Sequence, residues 1–239
     1  MKQVFPVMGV FLLGAAFAAP AAALEPFVAN YQVFKDGKVL GEATMQVVHG
    51  DGTRWRVDLG MRGTRGLVGL AGVNAQQSTV FDTVGNAYRP LSQSTVRKAV
   101  FMGKEMTGTY DWSTRTARWT GDVKKNRRSP VPLKDGDMSG LLINLAIVRD
   151  AQPGQTLHYR FVDNGRARDY QYAVAPELEG TVVDGMSFSA MRVSRVQSGG
   201  NDETVVWVVD GVPTPVRILQ RDNGEDTFDL RLVDYKGAQ

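Results

Sequence analysis

The residue types that most often carry out chemistry in proteins are sparse in this sequence. It contains two histidines, His49 and His158, and no cysteine. A transition-metal site would need both histidines to converge with carboxylates. However, His49 adjoins a glycine-rich turn, and His158 falls on the solvent side of an alternating run. We therefore expect no metal site and no cofactor.

Carboxylates and hydroxyl nucleophiles give no clearer signal. The acidic residues Asp135 and Asp137, and further along Asp222, Glu225 and Asp226, cluster in predicted turns without the spacing of a calcium loop. The sequence has neither a Gly-x-Ser-x-Gly elbow nor a phosphate-binding glycine loop. A glycosidase needs two opposed carboxylates, which a sequence alone does not identify. No residue is therefore assigned to catalysis.

A segment near residue 70 combines glycine with aliphatic residues. Its glycines recur every third position, and Leu, Val and Ala fill the gaps. One interpretation is a loop whose aliphatic side chains pack under the body of the protein. The other is an exposed apolar flap that touches a lipid tail or a membrane surface. The segment comprises Gly63, Gly66, Leu67, Val68, Gly69, Leu70, Ala71, Gly72 and Val73.

Four basic residues, Lys124, Lys125, Arg127 and Arg128, surround Asn126. They fit a hairpin turn with solvated charges. They also fit a surface that contacts anionic lipid headgroups, where each basic residue contributes about 1 kcal/mol. The formal net charge of +3 is too small to indicate a polyanionic partner, and we expect no binding of nucleic acid.

The first 23 residues indicate where the chain works. Lys2 provides a positive n-region, Val4 to Phe17 form a short apolar h-region, and Ala21 to Ala23 offer small residues for cleavage. A membrane anchor is the alternative, but Pro6 interrupts the apolar run, which is too short to span a bilayer. We predict a signal peptide over residues 1–23 and a periplasmic protein over residues 24–239 with no transmembrane segment.

Alternation of apolar and polar residues dominates the rest of the chain. From Thr53 to Arg62 the apolar residues occupy every second position, which predicts a half-buried strand, and the pattern recurs near residues 157–161 and 228–232. The run Thr204 to Asp210 is apolar on both faces and is expected in the middle of a sheet. Short turn sequences separate the strands: Asp36-Gly37, Asp51-Gly52, Asn164-Gly165, Asp184-Gly185, Gly199-Gly200-Asn201 and Asn223-Gly224. About a dozen strands joined by hairpins predict a large antiparallel sheet.

One segment has helical rather than alternating periodicity. Between residues 137 and 150 the apolar residues recur at spacings of three and four, and Asp137 stands where a helix cap would be. Pro153-Gly154 follows and would stop the helix. The helix could mark a domain boundary, but the flanking connectors are short. We therefore predict a single domain with one amphipathic helix packed on the sheet.

The second half of the chain resembles a known family. The relevant segments are Val206-Trp207-Val208-Val209-Asp210, Pro213, Pro215-Val216-Arg217-Ile218, Gly224 and Phe228-Asp229-Leu230-Arg231-Leu232. They are similar to the closing signature of domain of unknown function 3108, a family of exported proteobacterial proteins. Asp137 to Leu142, Pro153-Gly154, and Tyr31 with Gly37 and Gly41 resemble its central and opening regions. The resemblance implies a β-rich periplasmic domain and carries over no catalytic residue.

These observations together predict a mainly β protein. We expect a large antiparallel sheet curled into an open barrel or half-barrel with one helix, similar to periplasmic lipoprotein carriers. A sheet that does not close leaves a cleft suited to apolar ligands. The leading hypothesis is a non-enzymatic periplasmic protein that binds a lipid or another apolar envelope component. A protein-interaction or assembly factor that presents a sheet edge is the second hypothesis, and a hydrolase of envelope glycans or lipids is the third. The candidate lining residues, which would otherwise be plain core, are Trp55, Leu59, Tyr159, Phe161 and Trp207.

Overall fold

A computed structural model describes residues 24–65, 74–99, 102–196 and 201–237. The predicted signal peptide, residues 1–23, lies outside the described residues, as does the glycine-rich segment from Gly66 to Val73. In the described ranges, no helix is long and apolar enough to cross a membrane.

Within these described ranges, fifteen strands form one sheet. The strands are β1 (Phe27–Lys35), β2 (Lys38–His49), β3 (Arg54–Gly63), β4 (Asn74–Val84), β5 (Ala87–Ala99), β6 (Met102–Asp111), β7 (Thr116–Gly121), β8 (Val131–Pro132), β9 (Asp137–Met138), β10 (Thr156–Asp163), β11 (Arg166–Val183), β12 (Met186–Val196), β13 (Glu203–Val208), β14 (Arg217–Asp222) and β15 (Glu225–Gly237). The prediction of a mainly β fold built on one large antiparallel sheet is confirmed.

The chain enters this sheet in the middle and leaves it in the middle. Strands β1 to β8 follow one another outward to one edge, and β9 to β15 return from the other edge until β15 pairs with β1. Neighbouring strands are antiparallel except β9 and β10, which are parallel. The two edges, β8 and β9, are joined by the short connection of residues 133–136.

The predicted turn dipeptides account for most of the tight hairpins. Positive φ angles at two successive residues are typical of the two-residue loop that matches the twist of antiparallel strands. Four of the predicted dipeptides have this conformation: Asp36-Gly37, Asn164-Gly165, Asp184-Gly185 and Asn223-Gly224.

The helix, α1, spans Gly140–Asp150 and begins three residues later than predicted. Ser139 is its N-cap, because the Ser139 hydroxyl oxygen accepts from the backbone N–H of Leu142 at 3.4 Å. Asp137 does not cap the helix. It lies in β9 with no exposed surface, and Arg160 Nη1 is 2.6 Å and 2.7 Å from its two carboxylate oxygens.

Helix α1 occupies the concave side of the curled sheet. It contacts β3, β4 and β5 from the first half of the chain and β10 and β13 from the second. Six of its residues are buried, and they cover most of its circumference: Leu141, Leu142, Ile143, Leu145, Ala146 and Ile147. A surface helix would bury a narrower stripe. The helix therefore fills the inside of the sheet as part of the core.

A second, smaller core lies where the two edges of the sheet meet. It is formed by Tyr110, Ala117, Trp119, Val123, Val131, Leu133 and Val162. The Tyr110 hydroxyl is 2.6 Å from the carbonyl oxygen of Val162 and 2.6 Å from Oε1 of Gln93. The side-chain amide of Gln93 also donates to Asp163. Side chains from β5, β6 and β10 thus connect the two halves of the sheet.

Candidate functional site: the free edge of β11

Strand β11 is longer than the strand that pairs with its outer side. Its first part, Arg166 to Ala173, pairs with β10, and the last bond on that side is from the N–H of Val174 to the carbonyl of Gln155, at 2.9 Å. The pairing with β12 then shifts register between Val174 and Leu178. Beyond this bulge, β11 pairs with β12 alone in the described part of the chain. We call residues 178–182 the free edge.

The hairpin turn determines which backbone groups point away from β12. Val183 and Met186 flank the two-residue loop Asp184-Gly185 and are directly paired. Such a flanking pair is hydrogen-bonded, and the hydrogen-bonded pairs alternate along an antiparallel ladder. It follows that the N–H and C=O groups of Leu178, Gly180 and Val182 point outward along the free edge.

The side chains of the free edge are apolar and exposed. Leu178 is 53% exposed and Val182 66% exposed, and they share one face of the strand on either side of Gly180. A Cβ atom at Gly180 would meet nothing within 4 Å, and its φ is not in the left-handed region. No turn or close packing within the described residues requires a glycine here. A glycine inside a strand often marks a place where another backbone approaches.

The opposite face of the same hairpin anchors it to the protein. Val183 and Ala190 are buried, and Phe188 packs against the main core. The indole N–H of Trp207 donates to Glu179 Oε2 at 2.7 Å. The free edge is therefore a firmly held part of the sheet.

Trp207 belongs to a ladder of arginines that sequence analysis missed. Cross-strand pairing places Arg192, Trp207, Arg217 and Arg231 in one row over four adjacent strands. The guanidinium carbon of Arg217 lies 4.6 Å from the centroid of the Trp207 ring. Arg217 and Arg231 both bind the carboxylate of Asp229, at 2.7 Å each. Trp207, Arg217 and Arg231 stand within the closing signature of the sequence, but only the strand register shows that they are neighbours.

Asp229 is the buried charge of this ladder. Its side chain is 3% exposed. Burial alone would raise the pKa of Asp229, but the hydrogen bonds from Arg217 and Arg231 outweigh that effect and hold the pKa below its usual value.

A sequence profile described as "Protein of unknown function (DUF3108)" matches residues 28–231. The chain belongs to the DUF3108 family. This confirms the resemblance noted in the sequence. The comparison with curated proteins found no match.

One solved structure shows the same general fold in another family. A β-barrel-like protein of domain of unknown function DUF1849 from Brucella abortus superposes with a TM-score of 0.57 at 10% identity, covering 91% of this chain and 100% of that one. A DUF1089 family protein from Pseudomonas aeruginosa superposes with a TM-score of 0.38 at 10% identity, covering 87% of this chain and 95% of that one. The first match supports the barrel-like description of the fold.

The five candidate lining residues of the DUF3108 chain are all part of the main core or packed against it. Leu59, Tyr159 and Trp207 are buried, and Trp55 and Phe161 are partly buried against the same core. Strands β3 and β10, which carry four of them, both contact α1. Trp207 lies on the opposite face of β13 from the core residue Val206. Their role in lining a ligand site stays a prediction.

The basic residues of the DUF3108 chain lie around a short 3-10 turn, Lys125–Arg127. Lys124, Lys125 and Arg128 are exposed, whereas Arg127 is partly buried. Nε of Arg128 donates to the carbonyl of Val123 at 3.3 Å. Three of the four predicted cations therefore face the solvent.

A depression of about 640 Å³ with mixed polar and apolar lining lies across β2 to β6. Its lining includes Glu42, Met61, Arg62, Val96, Lys98 and Glu105. Glu42 stands on β2 and Glu105 on β6, with three strands between them in the sheet.

Proposed function

We propose that this DUF3108 protein is a non-catalytic binding protein of the cell envelope that binds an extended polypeptide segment by strand addition to the free edge of β11. One observation carries the proposal. Leu178, Gly180 and Val182 present outward backbone donors and acceptors, and the two side chains that flank the glycine are apolar and exposed. Strand addition uses the backbone groups for affinity and the alternate side chains for specificity.

The surroundings of the free edge favour a polypeptide over a lipid. Glu177 and Asp184 are exposed on the same hairpin, and their charges oppose contact with anionic headgroups. The concave side of the sheet, where an apolar ligand was expected, holds the buried residues of α1.

The envelope location rests on the predicted signal peptide of residues 1–23. Expression of the full chain, followed by cell fractionation and N-terminal sequencing of the product, tests it. A periplasmic product that begins at Leu24 is expected.

Site-specific photo-crosslinking in intact cells tests the binding function. A photoreactive amino acid replaces Val182 in one variant and Val84 in the control, since Val84 is also about half exposed, at 52%, but lies in β4. Discrete protein adducts at position 182 and none at position 84 are expected. Lipid adducts at position 182 would favour the lipid hypothesis instead. No adduct at position 182, or the same adducts at both positions, would contradict the proposal.

A further inference from the structure

We infer that the free edge of β11 pairs with the free edge of a second copy of this chain, with Gly180 on the two-fold axis. This inference rests on the proposed function, because it names the strand that occupies the same edge. Two-fold pairing requires a surface that is complementary to itself. The sequence of the edge meets that requirement.

The register follows from placing Gly180 opposite Gly180 of the second copy in an antiparallel pair. Leu178 then lies opposite Val182 of the other copy, and Val182 lies opposite Leu178. Glu179 lies opposite Thr181. Apolar residues thus meet apolar residues, and no two like charges are directly opposed, which is the arrangement that stabilises cross-strand pairs.

The backbone groups match the same register. Leu178, Gly180 and Val182 are the residues whose N–H and C=O groups point outward, so three hydrogen-bonded pairs form around the axis. The missing side chain of Gly180 keeps the axis clear where the two backbones meet, and nothing within the described part of its own chain fills that space.

Features at both ends of the free edge limit the interface. The bulge and Pro176 stop pairing on one side, and the turn at Asp184 stops it on the other. Beyond the three hydrogen-bonded pairs, Glu177 would lie opposite Val183, again without opposed charges. Such an interface is smaller than that of a stable dimer, so the dimer should depend on protein concentration.

The lack of native cysteine allows a clean test by disulfide trapping. In Gly180→Cys the two cysteines face each other with Cα atoms about 5.5 Å apart, a separation that a disulfide bridges. In the matched control Leu178→Cys, the two cysteines are displaced by four residues, or about 13 Å, and cannot be bridged.

Purified protein of each variant is oxidised over a range of concentrations and analysed by non-reducing electrophoresis and intact mass. We expect Gly180→Cys to form a covalent dimer about tenfold or more faster than Leu178→Cys. A mixture of Leu178→Cys and Val182→Cys should form the mixed dimer, whereas each alone should not. The mixture leaves Gly180 intact, so it tests the register even if a side chain at position 180 weakens the pairing.

Equal trapping of Gly180→Cys and Leu178→Cys, or no trapping and a monomer by light scattering at every concentration, would overturn the inference. A monomer in solution together with crosslinks to a different protein at position 182 in cells would overturn self-pairing and leave the proposed function standing. If the protein is a monomer in solution and no protein crosslinks form at position 182 in cells, both self-pairing and the proposed function are rejected.

Discussion

The indole N–H of Trp207 on β13 donates to Glu179 of β11 at 2.7 Å, across the intervening strand β12. This bond joins the bulged hairpin to the row of arginines in the closing signature of the family. Glu179 lies between Leu178 and Gly180, so the same bond holds the strand that carries the free edge. A side-chain hydrogen bond thus links the closing signature of the family to the free edge of β11.

Removing the Glu179 carboxylate should therefore weaken the hairpin. Glu179→Ala leaves the nearly buried indole N–H of Trp207 without its acceptor, and we expect a loss of about 1 kcal/mol in the free energy of unfolding by urea. Glu177→Ala, on the same exposed stretch, is the control and should change the stability by less than about 0.5 kcal/mol. Equal effects of the two changes would show that the bond contributes nothing.

Asp229 should be the most sensitive charged position of the ladder. Asp229→Asn removes the charge that Arg217 and Arg231 share, and we expect a loss of about 2–3 kcal/mol near pH 7. Because the pKa of Asp229 is lowered in the folded protein, its stabilisation is present above the unfolded-state value near 3.9 and is lost as pH falls through the folded-state pKa.

The difference between wild type and Asp229→Asn should accordingly shrink in acid, which denaturant titrations at several pH values measure. Asp226→Asn, whose partner Arg221 is 39% exposed, is the comparison and should cost less. A pH-independent difference would contradict this account.

Asp163, at the junction of the two sheet edges, should behave in the opposite way. Burial raises the pKa of Asp163, although the hydrogen bond from Gln93 and the nearby Arg168 and Arg127 lower it in part. A raised pKa means that the group favours folding while protonated and that this contribution is lost as pH rises through the folded-state pKa.

Asp163→Asn keeps an acceptor for Gln93 and does not titrate. We expect it to be more stable than wild type near pH 7 by on the order of 1 kcal/mol. The gain should grow as pH rises above the unfolded-state value near 3.9 and level off above the raised folded-state pKa. The exposed Asp169 provides the control variant Asp169→Asn. A loss of stability at neutral pH in Asp163→Asn would mean that the charge itself stabilises the junction.

The core role of α1 predicts a large effect of truncation. Leu142 has no exposed surface, and Leu142→Ala should cost about 2–5 kcal/mol through lost burial and the cavity left behind. Val148, on the same helix, is only partly buried, and Val148→Ala should cost roughly 1 kcal/mol. Thermal and urea unfolding measure both. A small effect at Leu142 would indicate that the helix is loosely held.

Local patterns were sufficient to predict the strands, the turns and the helix. The alternation from Thr53 to Arg62 and the dipeptide Asp184-Gly185 encode their structures through side-chain period and φ preference. The start of α1 was misplaced because Asp137 and Ser139 are both good caps, and a distant residue, Arg160, decides between them.

The candidate site depends on pairing between distant strands, which a single sequence does not reveal. The free edge exists because β10 ends its pairing with β11 at Ala173 while β12 continues, and the outward direction of Gly180 follows from the register with Ser189. The ladder from Arg192 to Arg231 likewise requires four strands to align. Residue types alone marked Trp207 as a lining candidate and gave no indication of its arginine neighbours.

In the sheet, each strand pairs with the strands before and after it in the sequence, and β1 pairs with β15. The exception is β8 and β9, which follow one another in the sequence but form the two edges of the sheet. If the ends of the described domain were joined by a short linker and the chain were cut within residues 133–136, every strand pair of the sheet would be preserved. The fold should therefore tolerate circular permutation at this connection. Its two meanders, β1 to β8 and β9 to β15, contain mostly pairings between strands that follow one another in the sequence. Because long-range pairing slows folding, we expect the pairing of β1 with β15 to be a slow step of folding.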